Sequence, residues 1–149
     1  MTEIREPGFF VDLPGEWEAA ITLEPGSHFF HEIDGTGALT VMLLMVRPSF
    51  AIADRARLLS DYMHHRASFE KGKRPALEQS EAVSHPIEDA FEGSWSAVDT
   101  ESGRYQLHRV VIVGDVMAHF CYEDGGLEET VFVKRAAAVL ASAGVDAAG

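Results

Sequence analysis

Ten residues near the N-terminus, Phe9-Phe10-Val11-Asp12-Leu13-Pro14-Gly15-Glu16-Trp17-Glu18, constrain the fold more than any other stretch of this chain. Phe9–Leu13 has the aromatic and β-branched content of a short strand. Pro14-Gly15 supplies turn residues, Pro by its fixed φ and Gly by its tolerance of positive φ. Trp17 opens a second strand that runs to Leu23. The expectation is a first hairpin in which Trp17 seals one end of the core.

The same punctuation continues downstream. Phe29–Ile33 reads as a third strand, closed by Asp34-Gly35-Thr36-Gly37, and Ala38–Val46 as a fourth. The fourth is apolar almost throughout, as a strand covered on both faces should be. Then the period changes. Ile52, Ala56, Leu59, Tyr62, Met63 and Phe69 recur at steps of three and four, one stripe of a helix. Strands resume with a weak Leu77–Val83, then Ala90–Asp99, Tyr105–Val113 and Val116–Tyr122. The last two flank Gly114-Asp115, a two-residue hairpin loop. A second helix runs from about Leu127 to Ala143, its buried stripe formed by Phe132, Ala136, Val139, Leu140 and Ala143. Gly144 suits its C-terminal end. Residues 144–149 are expected to fray.

The order is ββββ-α-ββββ-α. Tight turns between strands mean antiparallel pairing, and two amphipathic helices then cover the sheet. The fold class is α+β: an antiparallel sheet of about six to eight strands covered by two helices, in one domain over residues 1–149.

With the Phe9–Trp17 block at its head, the Gly35–Val46 segment leading into a long strand, one mid-chain helix, a strand meander and a closing helix carrying Phe132 and Leu140, the chain resembles the PsbP-like superfamily. That superfamily also holds the Ran-binding Mog proteins and bacterial families of unknown role. The resemblance implies an α+β fold and a non-catalytic adaptor, stabiliser or binding protein. It carries over neither a photosystem role nor a Ran-binding surface, because no residues here match one.

Composition narrows the function classes. The net charge is −12, which repels nucleic acid and anionic membrane surfaces and favours a protein partner of basic character. No apolar run approaches the 18 residues of a membrane span. The start, Met-Thr-Glu-Ile-Arg-Glu, has no apolar signal region. Cys121 is the one cysteine, so no internal disulfide can form; with the absent signal this predicts a cytoplasmic protein. Arginine outnumbers lysine and alanine is abundant, the bias of a GC-rich bacterial genome. Adjacent aromatic pairs, Phe9-Phe10 and Phe29-Phe30, are expected in the core, with homo-oligomerisation as the secondary reading.

Most catalytic signatures are missing: no G-x-S-x-G, P-loop, G-x-G-x-x-G or H-E-x-x-H occurs. No cofactor or metal is called for. Asp34-Gly35-Thr36-Gly37 lies between strands rather than before a helix, so it reads as a turn and not a phosphate loop. Of seven histidines, His64 and His65 are adjacent on the helix and diverge by about 100°. His28 and His31 face opposite sides of a strand, and His85 precedes Pro86 in a loop.

Two histidines and the cysteine differ. Around a Gly114-Asp115 loop, opposing residues sum to 229, so His108 faces Cys121 and Val110 faces His119. Trp95, Gln106, His108, His119 and Cys121 then share one face. Three readings compete: half-buried packing, a binding face anchored by Trp95, or a metal or nucleophile site. The chain is therefore expected to be a non-catalytic adaptor. The alternative is a small ligand- or metal-binding protein or enzyme using this face.

Overall fold

The computed structural model describes residues 1–20, 25–46, 52–69, 73–79, 83–84, 90–99, 103–125 and 128–146. Eleven strands and two helices follow in order: β1 (Thr2–Glu6), β2 (Phe9–Leu13), β3 (Trp17–Ala20), β4 (Ser27–Glu32), β5 (Ala38–Met45), α1 (Ile52–Phe69), β6 (Lys73–Gln79), β7 (Val83–Ser84), β8 (Ala90–Asp99), β9 (Tyr105–Val113), β10 (Val116–Asp124), α2 (Glu129–Ser142) and β11 (Gly144–Val145). The large sheet has eight strands in the order β3-β4-β5-β10-β9-β8-β6, with β7 also on β8; β1-β2-β11 make a small sheet. The α+β class and the antiparallel pairing are those expected of the sequence.

β10 lies between β5 and β9, so it stitches the first half of the chain to the second. The small sheet and α2 cover the inner face. Phe9, Val11, Leu13, Leu39, Val41, Phe120 and Tyr122 meet Phe132, Ala136, Val139 and Leu140 there. α1 lies on the outer face across β8 and β9, where Leu59 and Met63 meet Phe91, Trp95, Val110, Ile112 and Met117. β5, expected to be covered on both faces, is covered on one: Leu39 and Val41 are buried on the inner side, while on the outer side Thr40 and Met42 are half-buried and Leu44 is exposed.

The expected first hairpin does not form. β2 pairs with β1 on one edge and with β11 on the other, so neither edge is left for β3, which pairs with β4 instead. Pro14-Gly15 is a corner between sheets, not a hairpin turn. Trp17 is buried as expected, and its indole donates to the Pro14 carbonyl at 2.7 Å. Thr2 fastens the corner from the other side: its hydroxyl donates to the Gly15 carbonyl (2.7 Å) and accepts from the Trp17 amide (3.3 Å).

Nor does the chain fray at Gly144. Gly144 and Val145 pair with Phe10 and Phe9, and the Asp146 amide donates to the Gly8 carbonyl at 2.9 Å. A Cβ on Gly144 would stand 2.4 Å from the Phe10 ring, so glycine is needed here for close approach rather than as a helix cap. Residues 147–149 lie outside the described set. The weak strand expected at Leu77–Val83 begins earlier, as β6, and a separate short β7 follows. Phe29 departs from the core expectation: it is 37% exposed, while Phe30 is buried.

Arg109 ties α2 to the large sheet. Its guanidinium donates to the carbonyls of Leu140 and Ala143, both at 2.7 Å, and to the Glu92 carboxylate. Midway along α2, Arg135 pairs with Glu32 and Asp124. Burial works against the Arg135 charge, but the Glu32 hydrogen bond and nearby Tyr122 and Asp124 outweigh it and raise its pKa. Burial likewise holds the Tyr122 hydroxyl protonated, well above its ordinary range.

Candidate functional site

The outer face of β8, β9 and β10 is set by the β9–β10 hairpin. Gly114 adopts φ 58°, a region glycine enters without strain. Arg55 of α1 clamps the loop, donating to the Gly114 carbonyl and, at 2.9 Å, to the Asp115 carboxylate. The register that follows places His108 opposite Cys121, Val110 opposite His119 and Trp95 opposite His108. All five candidate residues stand on one face.

They are joined by hydrogen bonds in a line. The Tyr62 hydroxyl lies 2.8 Å from His119 Nδ1, and His119 Nε2 lies 2.9 Å from His108 Nδ1. His108 Nε2 lies 3.0 Å from Gln106 Oε1, and the Gln106 amide nitrogen reaches the Glu123 carboxylate. Arg104 donates to the other oxygen of Glu123 at 2.8 Å. One end fixes the direction. The Glu123 carboxylate accepts from Arg104 and from the Gln106 amide nitrogen, so the Gln106 carbonyl oxygen is left to accept from His108. His108 therefore carries its proton on Nε2 and accepts at Nδ1. His119 then donates from Nε2, and its Nδ1 accepts from the Tyr62 hydroxyl. One carboxylate thus sets two histidine tautomers, assigned from the network in the usual way.

The line is sealed. Trp95, Gln106, His108 and His119 are 3%, 4%, 2% and 1% exposed. Trp95 stacks on His108 and tilts over His119 at 5.1 Å between centroids. Burial pushes the His119 pKa down to about 3, and the Arg66 charge adds to the shift. His119 is therefore neutral at ordinary pH, as its place in the line requires. Cys121 sits at the margin, half-buried, with its sulfur 3.7 Å from His108 Nε2. Among the described residues, no three His, Cys, Asp or Glu side chains converge on a point that could hold a metal ion.

The other histidines stay apart from this line. His28 packs against the Phe9 ring at 5.0 Å, His31 pairs with Glu18 at 3.0 Å, and His64 and His65 are exposed on α1. His85 lies outside the described residues. Sequence reasoning missed three contributors. Tyr62 reads as one more apolar position of the α1 stripe, and Arg66 as a polar position of the same helix. Glu123 lies beyond the expected end of its strand, although the sum of 229 pairs it with Gln106.

No protein-family model matches the chain, and no curated protein matches it by sequence. Solved structures do match by shape. The cyanobacterial PsbP protein CyanoP from Synechocystis sp. PCC 6803 superimposes with TM-score 0.69 over 93% of this chain and 87% of its own, at 16% identity. The chain has the PsbP-like fold. LpqN of Mycobacterium tuberculosis, described as involved in cell envelope biogenesis, gives TM-score 0.55 over 97% of this chain and 89% of its own, at 11% identity. A protein from Bacteroides thetaiotaomicron gives 0.54 at 16% identity; 97% of this chain spans 48% of that one. At these identities the PsbP-like likeness concerns the fold, and function has to be argued from the side chains.

Proposed function

We propose that this chain is a non-catalytic accessory protein that works by binding a protein partner of basic character. One observation carries the reading: the groups best suited to chemistry, His108 and His119, are buried and hydrogen-bonded to each other, and burial holds His119 neutral. A general base must reach its substrate and titrate near the working pH; His119, held near 3, does neither. The line is better suited to fixing α1 against the sheet, since a fully satisfied buried network specifies one packing arrangement. The partner's sign follows from the net charge of −12, which steers basic surfaces toward the chain and repels nucleic acid and anionic lipid. The lone Cys121 suits a cytoplasmic site of action.

The alternative, a ligand-binding protein or enzyme using Trp95, His108, His119 and Cys121, draws support from Cys121 alone, the one half-exposed member.

Cross-linking in the native host followed by reconstitution from purified components tests the proposal. A partner with a basic contact surface is expected, with affinity falling as salt rises. Binding should survive Cys121→Ser. Failure to find any protein partner, together with a small-molecule turnover abolished by His108→Gln, would sink the reading.

A further inference from the structure

α1 covers only part of the outer face of the large sheet, lying across β8 and β9. Beyond β10, β5 and β4 continue that face. Thr40 opposes Cys121 and Met42 opposes His119 across β5–β10, while Phe29 opposes Thr40 and Ser27 opposes Met42 across β4–β5. Alternation carries Leu44 to the same face at one end, and Ile33 follows β4 at the other. Phe29, Ile33 and Leu44 are 37%, 47% and 39% exposed, and Met42 is half-buried between them. These large apolar groups form a stripe along two adjacent strands, interrupted by Ser27, Thr40 and His31, the last paired with Glu18.

The stripe has the footprint of a helix. From Ile33 to Leu44 it spans eight residue steps along the strands, about 26 Å, and two strands make it about 10 Å wide. A helix is about 10–12 Å across, and about 17 residues cover that length. α1, with 18 residues, already occupies the neighbouring part of the face. The area, on the order of 260 Å² from those spacings, is about a third of the ~800 Å² per partner of a stable interface. That disfavours a second copy of the chain, as does mutual repulsion between two chains of net charge −12.

The geometry points to the β4–β5 outer face as the docking site for one amphipathic, basic helix of about five turns, presented by a partner protein and lying beside α1. Phe29 and Leu44 anchor its apolar side, and the chain's negative field favours lysine and arginine on its flanks. This surface rests on the accessory-protein reading above and names where that binding occurs.

The test uses the intact protein and three synthetic 18-residue peptides: an amphipathic Leu/Lys helix, the same pattern in Leu/Glu, and a scrambled Leu/Lys sequence. Backbone amide spectra locate each peptide. The Leu/Lys helix is expected to shift residues of β4 and β5. Its Kd should rise at least ten-fold in a Phe29→Glu, Leu44→Glu variant that keeps the wild-type spectrum elsewhere, with Phe29→Ser, Leu44→Ser as the milder pair should the first misfold. Scrambled Leu/Lys and Leu/Glu should bind at least ten-fold more weakly. Four results would overturn the surface: no binding of the Leu/Lys helix, equal binding by its scrambled form, shifts centred on exposed Val131 and Val133 of α2, or a wild-type dimer that the variant abolishes. A native partner that binds the double variant unchanged removes this surface and leaves the accessory role standing. Absence of any native protein partner removes the role itself.

Discussion

The indole of Trp95 lies flat on the imidazole of His108, with centroids 4.4 Å apart and planes 5° from parallel. Both rings are buried between α1 and the sheet. The stack shields the polar line from water on one side, while the apolar wall of the indole supports α1. Trp95 thus serves both the packing and the polar order of the second core.

Replacing Trp95 by Ala is expected to destabilise the fold by about 3–5 kcal/mol, the usual cost of emptying a buried aromatic site. Trp95→Phe keeps a ring against His108 and should cost clearly less. Urea unfolding read through the midpoint at constant m-value separates the two. Equal costs for both would mean that a smaller ring against His108 contributes nothing and that the site requires the whole indole.

Tautomer assignment can be checked directly. Nitrogen NMR of the folded protein should show His108 and His119 both neutral and both protonated on Nε2. Glu123→Met removes the acceptor that orients Gln106, so the His108 and His119 ring protons should exchange faster with solvent. An Nδ1–H form of either ring in the wild type would reverse the direction of the line and remove Glu123 as its origin.

Much of this second core was legible in the sequence because one short loop determines it. Gly114-Asp115 fixes the β9–β10 register, and strand alternation then distributes Gln106, His108, His119 and Cys121 to one face without any tertiary information. Tyr62 was not legible as a partner, because helical periodicity says which stripe is buried but not which strand it meets. The corner at Pro14-Gly15 was misread for a similar reason. The local residues are those of a hairpin, and only the capture of both β2 edges by β1 and β11 excludes one. β1 was missed because its outward positions are charged and Ile4 alone is buried. β11, two residues long, has no periodicity to read.

Arg109 should matter more than a surface ion pair. It donates to the carbonyls of Leu140 and Ala143 at the C-terminal end of α2, the first of which also accepts from the Ala143 amide, and its charge complements the helix dipole. Arg109→Met is expected to cost about 2–3 kcal/mol, in the range of hydrogen bonds to a charged group, and to raise amide exchange over the last turn of α2 selectively. Arg109→Lys should rescue only part of this, because an ammonium lacks the planar fork that reaches both carbonyls and Glu92. Uniform exchange across the whole chain would instead mean that Arg109 acts on global stability without a local role at the helix end.

His119 gives the fold an acid sensitivity that can be isolated. Burial, with the Arg66 charge acting in the same direction, holds its folded pKa at about 3, against about 6.5 in an unfolded chain. Between those values the unfolded state binds a proton at His119 and the folded state does not. Stability therefore falls as pH drops below 6.5, by up to about 1.4 kcal/mol per pH unit, and this loss levels off only below about pH 3. Carboxylates begin to titrate near pH 4.5, so the interval from 6.5 to 5 reports mainly on the imidazole. Wild type should lose about 1.5 kcal/mol across it. His119→Gln can still accept from Tyr62 and donate to His108, but it has no proton to gain; its loss over the same interval should be smaller by about the 1.5 kcal/mol that His119 contributes. Matching slopes in the two proteins would move the acid sensitivity away from this histidine.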